Sequence, residues 1–462
     1  MKDHFKKGSD RLARWFLEFP ARISIGGFML LIGIGTFLLM LPVSAASQRM
    51  GFMDAMFTST SAVCVTGLAV ADTGTFFSPF GQTVLLILIQ AGGLGIMTLS
   101  TMILLIAGRR PGMKDRLVIQ DTFTHRKEQG PADIIRDVMV FALVPEIIGA
   151  IILFFCFLPG NSVGRAAWLS VFHAVSAFCN AGFSLFPDSL VQYREHWPVN
   201  LTISFLIIAG GIGFLVLSEI RRNMPFTRDT WKNLCLHSKL ALAATAVLLA
   251  GSTLLILLME WRNTLAPLSV PGRFLAAFFQ AVSARTAGFN SLAVEALADE
   301  TLFLIILLMF IGACPGSCAG GVKTTTIFTI ALMGFSRFRG YDYPQIFRRT
   351  IPGSAVWRAV NLVILSMMFI TVAVMLLMVA ELGSVSHLSS KGKFLEYLFE
   401  TVSAFGTAGL STGVTAWLSV PGKLIITVLM FVGRLGPLVI GIAISRKQTN
   451  LYHYAEEDIM IG

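Results

Sequence analysis

Four short stretches decide the fold: FTSTSAVCVTGL (Phe57–Leu68), FHAVSAFCNAGFS (Phe172–Ser184), FQAVSARTAGFN (Phe279–Asn290) and FETVSAFGTAGLS (Phe399–Ser411). Each sets a Phe, a Ser four residues later, and a Gly preceded by Ala or Thr and followed by Leu or Phe. The glycines, Gly67, Gly182, Gly288 and Gly409, are separated by 115, 106 and 121 residues. A pattern that returns four times at near-equal spacing is an internal repeat, not a scatter of helix-contact glycines. The third copy has one residue fewer between Ser and Gly, five steps against six.

Between these stretches lie eight long apolar runs, near residues 22–45, 79–107, 135–158, 199–219, 238–259, 301–333, 358–381 and 422–445. Each is long enough to cross a bilayer. Within each pair sits a segment too short to span: Asp54–Ser61, Arg165–Ala177, Arg273–Ala284 and Phe394–Ala404. A short helix followed by Gly-containing backbone at membrane depth must be buried in protein or line a cavity, because lipid satisfies no N–H or C=O group. The four segments therefore read as re-entrant loops.

Composition agrees. Of the 462 residues, 55% are hydrophobic and 13% charged, where a soluble domain carries about 25% charged. Disorder, coiled coil, disulfide scaffold and ordinary soluble enzyme are excluded. The first apolar run, Ile23–Ala45, follows six basic residues and ends near Ser44-Ala45-Ala46, which resembles a signal-cleavage site. It is longer than a signal h-region and reads as an uncleaved span. The net charge of +10 follows from topology. With both termini inside, inner segments hold 25 Lys and Arg and outer segments 9, and Lys323 and Arg434 lie within spans. That bias places all four loops on the outer side.

Four copies entering from one side can close into a pseudo-fourfold ring, an all-α membrane fold of four M1–pore-loop–M2 repeats around one pore. A Gly permits φ > 0, so that successive carbonyls turn toward the axis and replace the hydration shell of a monovalent cation. The short helices add the negative ends of their dipoles. The candidate ion-binding residues are the four ending at each glycine: Cys64, Val65, Thr66 and Gly67; Cys179, Asn180, Ala181 and Gly182; Arg285, Thr286, Ala287 and Gly288; Gly406, Thr407, Ala408 and Gly409.

These loops, the GACPGSCAGGVKTTT stretch and GRLGP together resemble the potassium-translocating membrane subunits of the Trk/Ktr/HKT superfamily over nearly the whole chain. The short N-terminal segment and the tail Tyr452–Gly462 resemble the Ktr type. The resemblance implies potassium as substrate, since Gly at all four filter positions goes with potassium selectivity and Ser at the first goes with sodium transport. It also implies a homodimer on a cytosolic ring of nucleotide-binding (RCK-type) regulatory subunits, with sodium as a possible activator. The cell is then bacterial, with the protein multi-pass in the inner membrane and both termini cytoplasmic.

The sixth span cannot stay helical through Ile311–Gly321, where Pro315 removes a donor and Gly312, Gly316, Gly320 and Gly321 each weaken propensity by about 1 kcal/mol. A simple kink needs fewer glycines. By the resemblance Gly312, Ala313, Cys314, Pro315, Gly316, Ser317, Cys318, Ala319, Gly320 and Gly321, with Lys323, form the intramembrane loop that gates the pore. Lys323 either anchors the loop or snorkels inward. Arg434 costs about 2.5–3.5 kcal/mol to bury, so a role is the default. Its family counterpart is an electrostatic barrier below the filter, and pairing with a carboxylate is the structural alternative.

Arg285 would repel a cation if it faced the axis, so it is expected behind the loop, holding it by hydrogen bonds. Asn180 could add a side-chain oxygen beside Gly182. Asp54, His173, Gln280 and Glu400 are placed at the starts of the short helices, with Asp54 and Glu400 expected to complement helix N-termini rather than gather cations. Gly92-Gly93-Leu94-Gly95 and Gly210-Gly211-Ile212-Gly213 fall inside spans and read as helix-contact glycines, not phosphate cradles.

Cys314 and Cys318 form a C-x3-C pair without a His or a second pair, so buried free thiols are expected over a zinc site. No catalytic motif is present, so an enzyme, an organic cofactor and nucleic acid as a partner are not expected; membrane lipid is. The organisation expected is 1–22 cytosolic, repeats at 23–108, 109–222, 223–335 (with the broken M2) and 336–446, and a cytosolic tail 447–462. The alternative function is a secondary cation symporter with alternating access, for which discontinuous helices are expected but inverted halves are also required.

Overall fold

The computed structural model describes residues 20–46, 48–95, 131–223, 228–383, 385–386 and 388–436. The expected N-terminal segment, the inner loop 109–130, the inner ends of the second and last spans, Pro437 and the tail lie outside the described residues.

One succession of elements recurs. A long helix α1 (Pro20–Met40) leads to a short α2 (Phe52–Val63) and then α3 (Pro79–Leu94). Next come α4 (Pro131–Phe157), short α5 (Val163–Phe178), α6 (Trp197–Ile212) and α7 (Phe214–Arg222). They are followed by α8 (Leu236–Glu260), short α9 (Val270–Ser283), α10 (Asp299–Phe310) and α11 (Thr324–Phe338). A two-stranded hairpin, β1 (Gln345–Ile346) and β2 (Arg349–Thr350), precedes α12 (Gly353–Leu382), short α13 (Lys393–Gly406) and α14 (Val420–Leu435). The short helices start and stop within three residues of the segments expected from sequence.

Serine starts many of these helices. Ser78, Ser162, Ser269 and Ser419 cap α3, α5, α9 and α14, each accepting from a backbone N–H three residues on. Pro79, Pro271 and Pro421 then occupy the first turn, where the missing donor costs nothing. Glu195 reinforces one cap: its Oε1 accepts the Ser269 hydroxyl at 2.6 Å and N–H at 3.1 Å. Those bonds hold its carboxyl below the usual carboxylate range.

The packing closes on itself. Helix α3 rests on α5, α6 on α9, α10 on α13, and α14 on α2. Lys423 of α14 pairs with Asp54 in the first turn of α2 at 2.7 Å, joining the last element to the first. Long, apolar α4, α8 and α12 pass the length and hydropathy needed for a bilayer crossing, and their outer faces stay exposed as lipid contact requires.

Two expectations about the spans need correction. The fourth is not continuous, because α6 ends at Gly213 (φ +92°) and the chain turns by 95° into α7. Helices α3 and α14 end in the same conformation, at Gly95 (φ +80°, ψ 139°) and Gly436 (φ +84°, ψ 137°). The first glycine of each motif does serve helix contact: Gly92, Gly210 and Gly433 each lie against the end of their own short helix. A Cβ there would come within 2.7 Å of Val63 C, 2.9 Å of Phe178 C and 2.7 Å of Phe405 C, closer than real Cβ contacts.

Gly92→Ala, Gly210→Ala and Gly433→Ala are expected to destabilise the detergent-solubilised protein by roughly 1–3 kcal/mol each. Gly251→Ala, where nothing lies within 4 Å of the new Cβ, is expected to be neutral or to stabilise by about 0.5–1 kcal/mol. Thermal unfolding of the four variants side by side checks both.

Candidate ion-conduction site

The short helices all end at the repeated glycine segments, so their C-terminal dipole ends meet there. Each segment leaves its helix through a left-handed residue that is not glycine: Val65 (φ +54°), Asn180 (φ +58°), Thr286 (φ +70°) and Thr407 (φ +49°). Two residues on, Gly67, Gly182, Gly288 and Gly409 have φ of +95°, +69°, +79° and +81°. The residue between them keeps φ negative. This alternation turns successive peptides to one side instead of the two sides of a strand.

Three segments share one hydrogen-bond closure. Thr66, Ala181 and Ala408 N–H donate to the carbonyls of Ser61, Ser176 and Ser403, five residues back, at 2.7–2.8 Å. Val65, Asn180 and Thr407 donate three residues back at 3.1 Å, so each helix ends in a Schellman motif. The third copy absorbs its missing residue here. Ala287 N–H reaches the Ser283 carbonyl only four residues back, at 2.9 Å, and the chain still passes through a left-handed Thr286 to Gly288.

The repeated serine pins the chain beyond the glycine. Ser61 Oγ accepts Gly67 N–H at 3.1 Å, Ser176 donates to the Phe183 carbonyl at 2.8 Å, and Ser283 donates to the Phe289 carbonyl. Ser403 makes no such bond.

The four glycines are neighbours in chain order. A Cβ on Gly67 would stand 3.2 Å from Gly182 Cα, one on Gly182 2.8 Å from Gly288 Cα, and one on Gly288 3.2 Å from Gly409 Cα. One on Gly409 would stand 3.1 Å from Gly67 Cα. The same hypothetical atoms would press on the carbonyl oxygens of Ala181, Ala287, Ala408 and Thr66. Four carbonyls and four Cα atoms thus meet with no space for a side chain.

Other candidates in the segments turn outward. Arg285 is buried and its Nη2 lies 3.5 Å from the hydroxyls of Thr245 on α8 and Thr324 at the start of α11, behind the segment as expected. Asn180 packs on α6, its amide nitrogen facing the carbonyls of Ile207 (3.2 Å) and Ala177 (3.0 Å), so its side-chain oxygen is not offered beside Gly182.

The broken sixth span lies against these segments. Its non-helical stretch runs from Ile311 to Lys323, closed by a parallel bridge between Ile311 and Val322. Cys314 and Cys318 N–H donate to the carbonyls of Gly211 and Gly210 at 3.0 and 3.1 Å, the carbonyls freed where α6 ends. Gly320 N–H donates to Thr407 Oγ1 of the fourth segment at 3.0 Å. Lys323 Nζ reaches back to the Ala319 carbonyl at 2.7 Å, an anchor within the loop rather than a snorkel.

Arg434 takes the place in its motif that Gly93 and Gly211 hold in theirs. Its guanidinium donates to the Cys318 carbonyl of the loop and, at 2.5 Å, to the Gly92 carbonyl of α3. Both acceptors are neutral, and among the described residues no carboxylate pairs with it.

Residues 22–454 match the TrkH family, described as "Cation transport protein". The "Ktr system potassium uptake protein B" of Bacillus subtilis is 39% identical over 98% of this chain and 99% of its own length. The chain belongs to the TrkH/Ktr family of cation transport proteins. The "Potassium/sodium uptake protein NtpJ" of Enterococcus hirae is 38% identical over 96% of this chain and 97% of its own. The crystal structure of the potassium transporter TrkH from Vibrio parahaemolyticus shares the fold at a TM-score of 0.70, with 18% identity over 91% of this chain and 85% of that one.

Some residues of this TrkH/Ktr chain escaped the sequence reading. His173, Gln280 and Glu400 are not at helix starts; they are buried well inside α5, α9 and α13, seven to ten residues past each first residue, and even the segments expected from sequence place them in the interior. Only Asp54 sits in a first turn. Thr407 serves twice, as the left-handed exit residue and as the acceptor for the broken span. The signal for these was positional: residue one after each repeated Phe, and residue two before each repeated Gly.

Removing the guanidinium both frees the Cys318 carbonyl and removes a buried positive charge. Arg434→Ala is expected to raise cation flux roughly tenfold, the scale of one partly screened charge a few ångströms away. Arg434→Lys keeps the charge but not the fork, and an intermediate rate is expected in proteoliposome flux measurements.

Proposed function

We propose that the chain takes up potassium across the cell membrane through one pore, with the four glycine segments as its selectivity filter. The observation that carries this reading is the closed contact of Gly67, Gly182, Gly288 and Gly409, each with positive φ and each against the carbonyl of the next segment. Carbonyl oxygens at the ends of four short helices favour a monovalent cation, repel an anion and offer little to a neutral solute. The cyclic packing of the helices supports four pseudo-fourfold repeats around that axis, at 23–108, 109–222, 223–335 and 336–446.

The substrate follows from the names of the relatives, potassium uptake proteins and a potassium/sodium uptake protein, which leaves sodium as a candidate activator. The loop Gly312–Gly321 is the gate in this reading, held by α6, Thr407 and Arg434, and Arg434 is the barrier below the filter. A cytosolic nucleotide-binding ring under a homodimer is the regulator the family resemblance supplies. The membrane is a bacterial inner membrane in this reading, and the excess of basic residues on one side supports both termini being cytoplasmic. The 95° break between α6 and α7 is what a symporter with broken helices would also show. Four segments meeting at one place favour the pore over two inverted halves.

The test is uptake in a bacterium lacking its own potassium systems, with and without a regulatory subunit. Wild type is expected to restore growth at low potassium. Gly67→Ser and Gly288→Ser, each placing a side chain at positive φ against a neighbouring carbonyl, are expected to lose preference for potassium over sodium. Wild-type uptake with unchanged selectivity in both variants would overturn the filter.

A further inference from the structure

Glu400 takes no part in the glycine contact or the broken span, yet it is wholly buried in the middle of α13. Its Oε1 accepts the Ser411 hydroxyl at 2.5 Å and Thr412 N–H at 3.1 Å, and its Oε2 accepts the Thr415 hydroxyl at 2.7 Å. The Ser411 and Thr415 oxygens are themselves 3.2 Å apart. The carboxylate is thus held by three neutral donors, all from the chain leaving Gly409. Hydrogen bonds of this kind, held away from water, are stronger than their exposed counterparts.

The second segment carries a matching arrangement. His173 stands one residue after Phe172, as Glu400 does after Phe399, and its Nε2 lies 3.0 Å from Ser184 Oγ. Ser184 follows Gly182 by two residues, as Ser411 follows Gly409. The imidazole is fixed from its other side by the Leu169 carbonyl at 2.7 Å and stacks on Phe186 at 4.8 Å. The other two segments lack the tie: Gln280 has neither amide atom bonded, and Thr58 reaches only the Met50 sulfur at 4.0 Å. Since the glycines are neighbours in chain order, the second and fourth segments occupy opposite corners.

We infer that Glu400 and His173 are positioning residues that brace opposite corners of the glycine ring and thereby set its discrimination between cations. Each closes a hydrogen-bonded loop across its segment, from the short helix to the chain beyond the glycine. The corner cannot widen or tighten without breaking that tie. Selectivity by carbonyl oxygens depends on their spacing and number, so a brace out of reach of the ion still acts on it. The inference rests on the filter reading above.

The experiment measures the ratio of potassium to sodium uptake in proteoliposomes, not total flux. It compares Glu400→Gln, Ser411→Ala, the pair Ser411→Ala with Thr415→Val, and His173→Gln, using Gly409→Ser as reference. Glu400→Gln keeps the volume and one acceptor oxygen, and the ratio is expected to fall about threefold; the double variant is expected to lose about tenfold, with transport retained. Should either Glu400→Gln or the double variant fail to purify as a single species, Ser411→Ala, which removes one hydroxyl, decides the matter alone. Native ratios in the brace variants together with a lost ratio in Gly409→Ser would overturn the brace and leave the filter standing. A native ratio in Gly409→Ser would overturn the filter and the brace with it.

Discussion

Backbone inside a bilayer has no water to bond, and every unwound N–H or C=O there must find a partner in the protein. The structure is organised around that constraint. Each short helix ends in the interior of the protein and closes its last turn on itself, through Schellman bonds in three copies and a shorter closure in the third. The carbonyls left free where α6 stops, at Gly210 and Gly211, are taken by the N–H groups of Cys318 and Cys314. One break in the backbone thereby satisfies another.

Close approach follows from the same economy of space. Gly92, Gly210 and Gly433 let three helices lie on the ends of the short ones, and the four repeated glycines meet without side chains between them. Where the motif of the last helix carries Arg434 instead of a second glycine, the guanidinium supplies donors to two carbonyls that the helices leave open. A charged side chain at that depth costs about 2.5–3.5 kcal/mol, and two charge-assisted hydrogen bonds of about 1.5–3 kcal/mol each offset it. The charge itself stays uncompensated by any described carboxylate.

Much of this was legible from sequence because it rests on pattern. Apolar runs mark the long helices, the fourfold Phe–Ser–Gly stretch marks the short ones to within three residues, and the glycines and Pro315 mark the broken span. What pattern could not show was conformation set by packing. Val65, Asn180, Thr286 and Thr407 are left-handed although only Asn180 is of a type that favours it, because the helix closure before them and the glycine after them leave no other path. The break at Gly213 was hidden because its glycines are equally compatible with helix contact. Glu400 looked like a helix cap because an acidic side chain on a short helix is read that way by default, although it lies six residues inside the expected segment Phe394–Ala404; only the chain beyond Gly409 reveals its partners.

On the gating reading, the number of bonds that hold the broken span sets the energy a regulator must supply. Two backbone bonds to α6, one from Phe214 N–H of α7 to the Gly316 carbonyl, one to Thr407 and one from Arg434 hold the stretch from Cys314 to Gly320. At roughly 1 kcal/mol for each of the four neutral bonds and about 1.5–3 for the charged one, their sum is about 5–7 kcal/mol. Moving a two-state equilibrium from 1:99 to 99:1 takes about 5.5 kcal/mol of differential binding. A loop held by these few bonds is therefore stable enough to stay in place unaided and loose enough for one partner to move. A continuous sixth helix, with every N–H committed to its own carbonyls, would lie well beyond that range.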